Sequence, residues 1–81
     1  MINKKKILID LNSIFKKIFN DKNLSLKLNT KKENILEWDS LGTIKIIIAI
    51  QKKYKISISP NESQNIQNIN NLIQIISKKI K

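Results

Sequence analysis

Apolar residues recur at three- and four-residue intervals along this chain, and that spacing decides what it can become. Ile7, Leu11, Ile14 and Ile18, with Leu8, Phe15 and Phe19 beside them, share one broad helical face. Ile69, Leu72, Ile73, Ile76 and Ile80 repeat the pattern near the other end. One glycine and one proline in 81 residues are too few turn formers for a sandwich or barrel of short strands. That length supports one core and not two, so a single all-α domain over residues 1–81 is expected. With 41% hydrophobic but only 5% aromatic residues, its interior is aliphatic, mostly isoleucine.

The helix boundaries follow from capping chemistry. The first helix is expected over 4–19, frayed at its start because Lys4, Lys5 and Lys6 oppose the positive end of the helix dipole. Residues 20–38 form a long connection. The alternation of Leu24, Leu26 and Leu28 lacks a second strand to pair with, so an ordered loop pinning these leucines and Ile35 onto helices is the better reading. Thr30-Lys31-Lys32-Glu33 fits a capping box opening one short turn. Asp39 is an N-cap for a second helix over 40–54. Ser59-Pro60-Asn61-Glu62 combines a capping box with proline at the first helical position, starting a short helix that ends near Ile66. Asn68 caps a last helix whose C-terminal end carries Lys78, Lys79 and Lys81. The architecture predicted is a four-helix bundle, three main helices and one short one.

Composition excludes several chemistries. Without cysteine there is no disulfide framework or thiolate metal site, and the cytoplasm is the expected compartment. Met1-Ile2-Asn3 and the three lysines begin like a secretory leader, but Asp10, Lys16 and Lys17 interrupt any apolar core for one. The run Ile46 to Ile50 is far too short to span a bilayer. The net charge of +10 admits a nucleic-acid or anionic-membrane partner. All 16 basic residues are lysine, however, and arginine is the preferred bidentate reader of phosphate and guanine. Isoleucine, lysine and asparagine have A- and T-rich codons, so an AT-rich genome would push composition this way regardless of function, a reading that the absence of arginine favours.

On a helical wheel, residues 41–54 separate into two apolar groups. Ile46, Ile47, Ile50 and Tyr54 make a core side. Leu41, Ile44 and Ile48 make a second side, interleaved with Lys45 and Lys52. A helix in a small bundle needs only one apolar stripe, so the second is read as a docking surface for a partner rather than as isoleucine scattered by codon bias.

That second stripe begins beside Ser40, in the stretch Glu37-Trp38-Asp39-Ser40-Leu41-Gly42-Thr43-Ile44. No histidine exists to activate the serine, and no G-x-S-x-G elbow surrounds it. Glu37 and Asp39 are conceivable as an acid/base pair, yet solvation and capping explain them better. Catalytic residues and metal ligands are therefore expected to be absent. A serine in the first turn of a helix is nevertheless well placed to carry a phosphodiester, because the helix N-terminus offers unpaired N–H groups and positive potential. Gly42 leaves room for close approach.

The run Asp39-Ser40-Leu41-Gly42, with Ile44, Ile47 and Ile48 and then Tyr54-Lys55-Ile56-Ser57-Ile58, resembles the acyl carrier protein family. The resemblance covers Asn34 to Ile80; over the first helix only the apolar period agrees. Trp38 before the motif is similar to the W-D-S-L variant of specialised stand-alone carriers, and it either anchors the loop or touches a modifying enzyme. The resemblance implies 4′-phosphopantetheine transferred from coenzyme A to Ser40, with Asp39 and Leu41 flanking the attachment site. It implies an acyl or aminoacyl cargo held as a thioester and presented to other enzymes, as in lipid or fatty acid biosynthesis. The partners implied are a phosphopantetheinyl transferase, an acyl- or aminoacyl-loading ligase and a downstream acyltransferase or synthase. Docking is assigned to Leu41, Ile44, Lys45, Ile48 and Lys52. Ile46, Ile50, Ile66, Leu72 and Ile76 are either ordinary core or the lining of a cargo cleft. A monomer is expected, with no specific nucleic acid and at most weak contact with anionic membranes.

One feature departs from the family pattern. Carriers of this kind are usually acidic along the second helix, whereas here that face carries Lys45, Lys52 and Lys53. The alternative from another functional class is a small basic nucleic-acid-binding helical protein. It draws on the charge and on Lys16-Lys17 and Lys52-Lys53, against the missing arginine and the scarcity of aromatics for stacking.

Overall fold

The computed structural model describes residues 3–35 and 38–80. Met1 and Ile2, the Glu37 half of the weighed carboxylate pair, and Lys81 lie outside the described residues. Among the described residues four α-helices follow in order: α1 (Lys4–Ile18), α2 (Ser40–Tyr54), α3 (Pro60–Gln64) and α4 (Ile69–Lys79). A 3-10 turn, Lys32–Asn34, interrupts the connection between α1 and α2.

Each helix starts where a short polar side chain can accept a backbone N–H. Asn3 accepts from Lys6, Asp39 from Gly42, Ser59 from Glu62 and Asn68 from Asn71. The Asn3 cap closes the turn in which fraying is expected, and all three lysines there keep their heads in water. The anticipated Thr30 cap does not form. Thr30 instead takes the Lys27 N–H on its hydroxyl, while the Asn34 side chain reaches back to the Lys31 N–H and opens the 3-10 turn. The short helix α3 stops at Gln64, two residues before the expected end, and Ile66 then drops into the core.

Helix α1 packs against both α2 and α4. Their facing side chains, Ile7, Leu11 and Phe15 with Ile46 and Ile50 and with Ile69, Leu72, Ile73 and Ile76, are all but inaccessible to water. Burial of each such side chain contributes roughly 1.5–3 kcal/mol of hydrophobic stabilisation before entropy is counted. A polar pin joins α1 to the end of α2, where the Tyr54 hydroxyl donates to Asp10 Oδ2 at 2.7 Å. Lys6 approaches the other carboxylate oxygen at 3.4 Å.

The long connection is ordered by contacts distant in sequence. The Leu26 N–H donates to Asn12 Oδ1 on α1 at 2.7 Å. An isolated antiparallel bridge pairs Lys31 with Asn68, flanked by Lys32 N–H to Gln67 O and Ile69 N–H to Thr30 O, both 2.9 Å. Of the leucines expected to be pinned, Leu26 is buried and Leu24 half-buried, but Leu28 is exposed. Its backbone carbonyl accepts from Asn70 and holds the loop without its side chain.

Candidate functional site

The site is built around the start of α2. Asp39 adopts an extended backbone, and its Oδ1 takes the Gly42 N–H at 2.9 Å. Ser40 then occupies the first helical position with its side chain exposed. The cap is complete without the serine, since the Asp39 carbonyl receives both the Thr43 N–H (2.9 Å) and the Thr43 hydroxyl (3.1 Å).

Trp38 fixes this turn from below. It is only 4% exposed, and its indole N–H donates to Thr43 Oγ1 at 2.9 Å. Its ring meets Phe15 edge-on, centroids 5.1 Å apart at 83°. Of the two roles open to Trp38 from sequence, anchoring is the one its burial supports. Gly42 is buried beneath the same turn.

Beyond Ser40 a groove of about 480 Å³ runs between α2 and α3, within the size range of small-ligand clefts. Its α2 wall is Thr43, Ile44, Ile47 and Ile48. Ile58 and Pro60 face it, with Lys32, Ser63 and Gln64 at the polar edges. Ile58 is held there because the Gln51 side chain accepts its N–H at 2.9 Å. The chain reaches that position through Lys55, which caps α2 in the left-handed conformation (φ 56°) and turns it sharply. The opposite wall rests on the α3 capping box, in which Ser59 and Glu62 each accept the other's N–H. The Glu62 carboxyl is held below its ordinary pKa, first by the Ser59 N–H and then by Lys79, whose ammonium lies 3.1 Å away.

The second apolar stripe of α2 stands free. Leu41, Ile44 and Ile48 are 59%, 55% and 47% exposed, and Lys45 and Lys52 beside them are exposed too. The core side holds as expected: Ile46, Ile47 and Ile50 are buried and Tyr54 partly so. Burial and the Asp10 contact push the Tyr54 hydroxyl well above its usual pKa. Ile46, Ile50, Ile66, Leu72 and Ile76 are buried in the core, and none of them lines the groove. The groove lining at Ile47, Ile58, Pro60, Ser63 and Gln64 is not apparent from sequence. Its only trace there is the pair Ile56 and Ile58 placed just before the Ser59 cap.

Among the described residues, no group of three or more His, Cys, Asp or Glu side chains is arranged to hold a metal ion, and no helix is long and apolar enough to cross a membrane. No family model and no curated protein matches the chain. Solved structures do. A holo acyl carrier protein from Geobacter metallireducens superposes with a TM-score of 0.83 at 32% identity, covering 90% of this chain and 84% of that one. An acyl carrier protein from Thermotoga maritima shares the fold at a TM-score of 0.82 and 19% identity, covering 95% and 89%. These relatives are carriers and not enzymes. From the shared bundle and the identity to the Geobacter protein over most of both chains, this chain belongs to the acyl carrier protein family.

Proposed function

We propose that the protein carries an acyl group as a thioester on 4′-phosphopantetheine attached to Ser40, and presents it to partner enzymes. The observation that carries this reading is the exposed Ser40 hydroxyl at the first position of α2, opening directly onto an apolar groove. The residues present fit the group. The cap made by Asp39 leaves the serine hydroxyl free for esterification. The helix N-terminus favours the resulting anion electrostatically, and the groove gives an aliphatic chain a place out of water. The similar Geobacter structure is described as a holo form, which agrees with a loaded group. When bound, the group supplies a thiol at the end of a flexible arm.

The chain's own residues do the rest. Asp39, Trp38 and Thr43 hold the first turn of α2 rigid, so the attachment point keeps one orientation toward any transferase. Leu41, exposed next to Ser40, is assigned to first contact with that transferase. Ile44, Ile47, Ile48 and Ile58 shelter apolar cargo. Partner classes follow from this chemistry: a phosphopantetheinyl transferase, a loading ligase, and an acyltransferase or synthase that takes the cargo onward. We take residues 1–81 as one monomeric carrier domain of the specialised W-D-S-L type, working in the cytoplasm.

Aminoacyl cargo is the second reading, suggested by Gly42-Thr43 after the motif. The apolar walls favour an acyl chain over a charged amine. Nucleic-acid binding is not favoured, since the family likeness accounts for the helical fold without it.

The test is intact mass after incubation with coenzyme A and a broad-specificity phosphopantetheinyl transferase. The native chain is expected to gain one phosphopantetheine and Ser40→Ala none. A folded native chain that gains nothing would overturn the proposal.

A further inference from the structure

We infer that the outer face of α2 docks protein partners through an apolar strip met by an acidic rim, the partner contributing the carboxylates. This inference rests on the carrier reading above and names the kind of partner that would dock beside Ser40.

The strip has a defined layout. Leu41 and Ile48 stand seven residues apart, two helical turns and about 10 Å along the axis. Ile44 fills the space between them on the side toward the groove. Lys45 and Lys52, also seven apart, form a parallel line along the far edge of the strip. All five side chains are exposed, and the three apolar ones are about half uncovered. Leaving such residues in water forfeits burial that a partner would recover.

Charge decides the partner. From Ser40 to Tyr54 the helix has no acidic residue, while Lys45, Lys52 and Lys53 are all exposed. Neither Lys45 nor Lys52 is engaged by a described carboxylate, because the described ion pairs are Lys6–Asp10 and Lys79–Glu62. A basic docking surface would bring like charges together at the strip's edge, which costs binding energy and slows encounter. A partner with two carboxylates roughly 10 Å apart beside an apolar patch would match both lines at once. A basic strip is also compatible with an anionic bilayer. The narrowness of the apolar stripe and its position against the serine favour a protein surface.

The test uses the full chain, 15N-labelled, titrated with a synthetic amphipathic helix bearing leucines along one face and glutamates on its flank. A second peptide replaces each glutamate with lysine. The acidic peptide is expected to shift the amides of residues 41–52 and the basic peptide to leave them unmoved. The double variant Lys45→Glu/Lys52→Glu should weaken acidic-peptide binding at least about tenfold, an electrostatic loss of ~1.4 kcal/mol. Lys16→Glu/Lys17→Glu on α1, which removes the same net charge elsewhere, should leave it intact. Equal weakening by both pairs would mean that only overall charge matters and would overturn the proposal. So would shifts outside α2, or vesicles containing phosphatidylserine giving the α2 shifts when the acidic peptide does not. Ser40→Ala keeps the strip and should bind the peptide normally. Failure to load phosphopantetheine and failure to dock are therefore read separately.

Discussion

The indole N–H of Trp38 donates to the hydroxyl of Thr43 at 2.9 Å, spanning the two residues that bracket the exposed serine. Thr43 passes the contact on, donating to the Asp39 carbonyl at 3.1 Å. The turn that holds Ser40 is thus braced by a buried ring packed on Phe15 in α1, and the exposed serine sits on a turn tied to the core. Thr43→Val would leave the buried indole N–H unpaired, a loss of about 1–3 kcal/mol. Trp38→Phe gives up the same hydrogen bond and also leaves part of the buried indole's space empty, so it should cost at least as much. Urea denaturation of both variants and of the double variant checks this. A coupling near zero between the two sites would mean the bond contributes nothing. Because Trp38 is buried, loading at Ser40 should survive Trp38→Phe at temperatures where the protein stays folded.

The two faces of α2 predict opposite behaviour from chemically equal truncations. Ile50 is fully buried between helices, so Ile50→Ala should destabilise by about 2–5 kcal/mol through lost transfer energy and a cavity. Ile48 stands half in water, so Ile48→Ala should change stability by less than about 0.5 kcal/mol. Under the proposed docking role, its effect falls on partner turnover instead. Thermal unfolding read beside transfer to a partner enzyme separates the two, and a large stability loss at Ile48 would contradict the exposed-stripe assignment.

Much of this was legible because it is written in local chemistry. Asp39 and Ser59 are side chains whose only requirement is a following backbone N–H, and the helices begin at the residues they predict. The inner face of α2 follows from its period alone. The loop and the groove are different. Leu26 is buried because Asn12, fourteen residues earlier, accepts its N–H, whereas Leu28 two residues on is exposed because only its carbonyl is used. No alternation rule separates them. Thr30 looks like a cap but takes the Lys27 N–H on its hydroxyl instead. The groove requires Ile58 to face Ile47, which depends on the left-handed turn at Lys55, a residue with no sequence preference for that conformation.

Tyr54 should make stability sensitive to alkali. Burial, reinforced by the bond to Asp10, raises its pKa in the fold above the ordinary value near 10. A raised folded pKa means the native state holds its proton more tightly than the unfolded chain. The contribution is therefore complete below about pH 10 and is lost as pH climbs above it. Lysine titration occurs in the same range, so the readout is a difference. The urea midpoint of the native chain should fall relative to that of Tyr54→Phe as pH rises above about 10. Parallel curves would show that the Asp10 contact does not distinguish the protonated phenol.

At the acid end the groove wall should loosen before the core does. Glu62 accepts the Ser59 N–H and faces Lys79, and both contacts hold its carboxyl below the usual range. With a depressed folded pKa, the stabilisation is present above the unfolded value near 4.5 and is lost as pH falls through the folded one. Protonation would remove one half of the capping box and the tether to α4, leaving five-residue α3 with the Ser59 hydroxyl alone. Helix α3 carries Pro60, Ser63 and Gln64 along the groove, so its loosening should open the groove while the α1–α4 core stays closed. Hydrogen exchange followed from pH 6 to 3 should show the amides of residues 62–66 losing protection ahead of those in α4. Glu62→Gln should lack that early loss because it has no proton to gain, at the expense of a weaker α3 at neutral pH. Simultaneous loss in both helices would mean α3 is held by packing, and the acid dependence would then lie elsewhere.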